Sequence, residues 1–165
     1  MRNWFNALVL AVSALLVTTS LYANEDYADT QWKELVPEGY KPPPVRSQAF
    51  YDANPELANQ PELDAPMVEA LDGKKIKIPG YVVQLEGDAD KVTQFLLVPY
   101  YGACVHVPPP PPNQIVLVDF PEGVKYEETL DAVWVSGTMK VERVEGDVAV
   151  VGYRLTAATV TPFYQ

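Results

Sequence analysis

One cysteine and one histidine are all that 165 residues provide of the two side chains most used in metal sites and nucleophilic catalysis. A single cysteine excludes a disulfide within the chain. A single histidine shortens the list of enzymes the chain could be, since most acid–base and nucleophile-activating sets are built on imidazole. Cations are scarce too: 12 Lys and Arg stand against 22 Asp and Glu, a formal net charge of −10. Such a balance argues against nucleic acid and anionic membrane surfaces, which are held by cationic patches. It suits a cationic partner or a metal ion, and it also keeps a chain soluble. No Ser-His-Asp set, glycine-rich phosphate loop or zinc-protease helix is present. No catalytic constellation is recognisable, and the chain reads as a non-enzyme.

An unbroken apolar run of the roughly 20 residues needed to span a bilayer is also missing. The apolar stretch Phe5–Val17 is interrupted by Asn6 and Ser13; it follows Arg2 and gives way to the small residues Thr18, Thr19, Ser20 and Ala23. A positive start, a short apolar centre and a small residue at the cut predict a secretory signal over residues 1–23, cleaved after Ala23. An uncleaved anchor is the other reading. Arg2 is the only charged residue in 1–23, so removing it from −10 leaves a mature chain at −11. The expected location is the periplasm.

Residues 24–60 are punctuated by Pro37, Pro42, Pro43, Pro44 and Pro55, yet carry Trp32, Leu35, Tyr40, Phe50 and Tyr51. Three successive prolines favour an extended conformation. The rings are too many for a free linker. An extended arm lying across a domain at 61–165 is expected. Asp64–Gly73 predicts a short helix, with Asp64 as cap, Pro66 in the first turn and Gly73 as stop.

From Lys74 the apolar period changes to two. Five strands are expected: Lys74–Val83, Val92–Tyr101, Gln114–Phe120, Val133–Val144 and Val148–Val160. A short helical link over 122–131 separates the third from the fourth. Gly80, inside the first strand, marks a bulge or sharp bend. Three strands, a link and two strands, with a bent first strand, is the layout of a small OB-type barrel. An open antiparallel sheet is the alternative.

Between the second and third strands lies the most unusual segment, Tyr100-Tyr101-Gly102-Ala103-Cys104-Val105-His106-Val107, followed by Pro108–Pro112 and Asn113. Five prolines give no amide hydrogens and cannot pair as a central strand, so a stiff extended spacer at the surface is expected. In an extended piece, Cys104 and His106, two residues apart, would share a face. A thiolate and an imidazole suit zinc or copper, or a thiol activated by its neighbour. A buried, inert Cys104 with a backbone-bonded His106 is the structural alternative. Two ligands fall short of the usual four, so others would come from carboxylates, water or a second chain. Tyr100 and Tyr101 could form a binding face or pack the barrel. Asn113 could bind a ligand or satisfy backbone groups at the end of the proline run.

The segments Trp32–Pro37, Gly80–Val83, Phe95–Pro99, Gly102–Gln114 and Tyr153–Leu155 resemble a family of exported bacterial proteins classed as domain of unknown function 3299. The resemblance covers most of residues 31–160, and the Cys-x-His before prolines and Asn is its most specific part. It implies an accessory protein found beside ABC-type transporter components, in some cases in zinc-responsive surroundings. That context favours zinc at Cys104 and His106. The alternative is an interaction protein without metal, whose aromatic arm and proline loop dock on a membrane partner.

Overall fold

The computed structural model describes residues 26–164. The expected signal segment lies outside them. Among the described residues, no helix is long and apolar enough to cross a membrane.

Six strands form one sheet: β1 (Ala28–Asp29), β2 (Lys75–Gly87), β3 (Lys91–Val98), β4 (Val116–Lys125), β5 (Val133–Glu145) and β6 (Val150–Pro162). The last five close into a barrel in the order β2-β3-β4-β6-β5, with β5 pairing back onto β2. All pairs in the barrel are antiparallel except β4–β6. This is the OB-type arrangement expected from the strand order. The two-residue β1 is an addition, parallel to β2 at Ile76 and Lys77.

β2 serves both sides of the closure. Up to Gly80 it pairs with β5, and from Tyr81 with β3. The handover occurs at Gly80 because the strand presses on its neighbour there. A Cβ at that point would sit 2.8 Å from the Val98 carbonyl oxygen and 2.8 Å from Leu97 Cγ.

Period-two alternation sends Ile76 and Ile78 inward, with Phe95, Leu97, Val116, Val118, Val135, Met139, Tyr153 and Leu155 from the other strands. A second apolar cluster lies on the outer face: Leu96, Val98, Ile115, Leu117, Ala149 and Val151. β3 therefore buries side chains on both faces, and its sequence reads as the unbroken run Phe95-Leu96-Leu97-Val98.

Several local expectations are corrected. The helix over Asp64–Gly73 reduces to one 3-10 turn at Glu69–Leu71, and Asp64 caps nothing. Pro66 and the exposed Asp64 and Glu69 leave too little apolar face to sustain a longer helix. The link is likewise a single 3-10 turn, Tyr126–Thr129, and β4 extends to Lys125 across Pro121. β3 stops at Val98, three residues short of Tyr101, because Pro99 and the positive-φ Gly102 divert the chain.

The arm is not uniformly extended. It contains the 3-10 turn Trp32–Leu35 and the helix α1 (Gln48–Ala53), whose Ser47 caps the amide of Phe50. Leu35 is fully buried in the barrel core, and Trp32 packs against that core while its Nε1 donates to the Pro79 carbonyl at 2.6 Å. Tyr40 and Tyr51 are half-buried, and Phe50 remains exposed. The proline run is not a surface spacer either. Pro110, Pro111 and Pro112 are buried. Side-chain amides make this possible by bonding backbone that prolines cannot bond among themselves. Gln60 Nε2 donates to the Pro110 and Val150 carbonyls, and Gln114 Nε2 donates to the Trp32 carbonyl.

Candidate functional site

The segment after β3 is a tight turn rather than an extended piece. The amides of Val105, His106 and Val107 all converge on the Gly102 carbonyl, at 3.2, 2.8 and 3.2 Å. Gly102 stands at φ +82° and Cys104 at φ +65°, the left-handed region that a non-glycine residue enters only under constraint. The expectation that Cys104 and His106 share a face because the chain is extended is therefore corrected. His106 is exposed, while Cys104 is half-buried against the outer apolar cluster.

Both residues still border one shallow hollow, together with Tyr51 and Asp52 of α1. No group of three or more His, Cys, Asp or Glu positioned to hold a metal exists among the described residues. Burial pushes the Cys104 thiol from its ordinary 9.0 up to about 11. A thiol so placed stays protonated at neutral pH and is a poor nucleophile until deprotonated. Iodoacetamide alkylation of Cys104 in the native protein is expected to rise with pH through about 11, not through about 9. Half-maximal reactivity near pH 7 would show an activated thiolate instead.

Tyr100 lies under the arm. Burial, then the neighbouring Cys104 and Tyr51, push its hydroxyl up to about 12. Tyr101 points the other way and is 72% exposed. Its ring lies 5.8 Å from Tyr81, edge-on, and 6.4 Å from the His106 ring. Asn113 is fully buried, and its Nδ2 donates 2.8 Å to the Pro66 carbonyl. It pins the Asp64–Gly73 segment to the end of the proline run by satisfying a backbone carbonyl.

The turn thus divides two clefts. On the arm side, a cleft of about 440 Å³ runs between Pro42–Pro44 and Pro108–Pro111, with Phe50, Tyr51, Leu57 and Tyr100 along it. Val45, Phe50 and Leu57 are exposed there. Prolyl rings offer methylenes and carbonyl oxygens but no N–H. This wall is therefore apolar and accepts hydrogen bonds without donating them. On the other side, a groove of about 350 Å³ lies between Tyr81–Gln84 and Tyr126–Leu130, with Tyr101, Val105 and His106 at its end. Of the residues singled out in the sequence, Tyr51, Tyr100 and the prolines come together at the first cleft, Tyr101 and His106 at the second, and Cys104 with His106 at the shallow hollow.

Sequence reasoning missed Gln60 and the exposed pair Tyr126 and Leu130. Leu130 carried a signal: a large apolar residue beside Glu127, Glu128 and Asp131. Gln60 carried none, because its partners lie 50 and 90 residues away.

The family described as "Protein of unknown function (DUF3299)" matches residues 32–162. Among solved structures, a DUF3299 family protein from Pseudomonas aeruginosa PAO1 is similar over 85% of this chain and 98% of its own, at 45% identity and a TM-score of 0.77. No curated protein matches.

Proposed function

The chain belongs to the DUF3299 family, and from that premise we propose that it is an exported accessory module that binds a polypeptide partner, an envelope transporter component, through the arm and the proline loop. The carrying observation is the cleft between Pro42–Pro44 and Pro108–Pro111, with its aromatic lining. An extended segment bringing apolar side chains and free N–H groups matches a wall that has methylenes and carbonyls to offer. The acidic balance of −10 favours a cationic partner. Export is supported by the pattern of residues 1–23, and a lone thiol that is half-buried and protonated is compatible with an oxidising space.

The zinc reading rests on a narrower observation, the common hollow bordered by Cys104, His106 and Asp52. It needs further ligands from a partner, and a thiol whose burial disfavours the ionised form.

One experiment separates the two. A fluorescent Leu- and Trp-bearing pentapeptide is titrated into the protein and into a Phe50→Ala, Leu57→Ser variant, and melting is followed with and without zinc. The interaction reading expects saturable binding weakened about tenfold in the variant, with melting unmoved by zinc. It fails if the peptide does not bind, or if zinc raises the melting temperature of the parent but not of Cys104→Ser.

A further inference from the structure

Past Gly80, β2 leaves β5 and pairs only with β3. The edge of Tyr81–Leu85 that β5 has vacated pairs with no strand among the described residues. Its Tyr81–Gln84 part borders the 350 Å³ groove facing Tyr126–Leu130.

Its chemistry is unusual for a bare edge. Native sheets protect such edges with lysine, proline or a covering segment. The first half of β2 has Lys75, Lys77 and Pro79, whereas Tyr81-Val82-Val83-Gln84-Leu85 has neither lysine nor proline. β5 is covered at its own edge: the Val141 amide donates to Asp72 Oδ1, the Met139 amide to the Lys74 carbonyl, and the Gly73 amide to the Met139 carbonyl. Around the β2 edge the surface is apolar and exposed, with Tyr101 at 72%, Val105 at 65%, Leu130 at 62% and Tyr126 at 45%. The groove lining contains no Lys or Arg, and Glu127 and Glu128 lie within the turn that forms its far wall.

We infer that the Tyr81–Leu85 edge is a strand-addition site for an extended, alternately apolar segment of a partner polypeptide with basic residues flanking it. Backbone hydrogen bonds to the edge supply the affinity, and the Tyr101–Leu130 surroundings receive every second side chain. The acidic turn selects the basic flanks and speeds their approach. This site does not depend on the cleft between the prolines.

The test uses a blocked heptapeptide, Lys-Val-Thr-Val-Thr-Val-Lys, and two versions N-methylated on alternate residues, one for each peptide edge. Amide hydrogen exchange is followed by NMR on the full mature protein. At saturation the unmethylated peptide is expected to slow exchange of alternate amides within Tyr81–Leu85 by about tenfold. One methylated version should fail to bind and the other should bind. Leu130→Lys, at an exposed position that the core does not use, should abolish the protection without changing the melting temperature. The inference is overturned if exchange at Tyr81–Leu85 is unaltered or if both methylated peptides bind like the parent. Protection that appears with protein concentration alone also overturns it, since the occupant would then be a second copy.

Discussion

Leu35→Ala is expected to cost about 3 kcal/mol of stability, a fall in melting temperature of about 10 °C, although the residue lies 40 positions ahead of the first barrel strand. Leu35 is 0% exposed and belongs to the same core as Phe95, Met139 and Leu155. Its truncation leaves a cavity that strands cannot collapse into. The neighbouring backbone is held by Tyr153, whose hydroxyl donates to the Leu35 carbonyl and accepts from the Val68 amide, both at 2.7 Å. Tyr153→Phe keeps the ring and removes both bonds, leaving a buried donor and acceptor unpaired at a cost of about 2 kcal/mol. The two changes should combine to less than their sum, by about 1 kcal/mol, because each loosens the same contact between arm and barrel. Urea unfolding of the two single variants and the double variant measures all three values. A cost below about 1 kcal/mol for Leu35→Ala would mean that the arm is not integral to the core.

Gly137→Ala is expected to be at least as damaging, about 3 kcal/mol or failure to fold, although it adds one methyl group. A Cβ at Gly137 would stand 2.3 Å from the Thr156 carbonyl oxygen and 2.9 Å from the Ala157 Cα. Both are backbone atoms of β6 and cannot rotate away. The close approach arises where β5 and β6 shift register between Ser136 and Gly137. Gly73→Ala is the informative comparison. There φ is +71° but nothing lies within 4 Å of the added carbon, so only the backbone penalty of about 1 kcal/mol is expected. Equal melting temperatures for the two variants would show that β6 shifts to make room.

The barrel was legible because its signals are local. Ile76 and Ile78 alternating with lysines, the apolar runs of β3 and β4, and Gly80 at the bend each report a strand's own burial. The site was legible only as a composition. Cys104, His106 and the prolines stood out, but the backbone that carries them was misjudged. An extended backbone was assumed where three amides converge on the Gly102 carbonyl. Nothing in the sequence announces that convergence except Gly102 itself. The proline run was misplaced for a related reason: a stretch without N–H groups reads as surface until its carbonyls find donors. One such donor, the Gln60 side chain on the Pro110 carbonyl, looks like an ordinary polar residue in the sequence.

By itself the sequence determined the strand count of the barrel, the bend in its first strand, the acidic balance and the absence of an internal disulfide. These follow from periodicity, steric freedom and residue counts, which a chain carries before it folds. Only the tertiary structure decided that the arm shares the barrel's core through Leu35, that Cys104 and His106 sit on a tight turn with different exposure, and that β2 leaves an edge open beyond Gly80. Each of these depends on which distant segments meet. Contacts across 47 to 118 residues are selected by the packing of the whole molecule, so no local pattern records them.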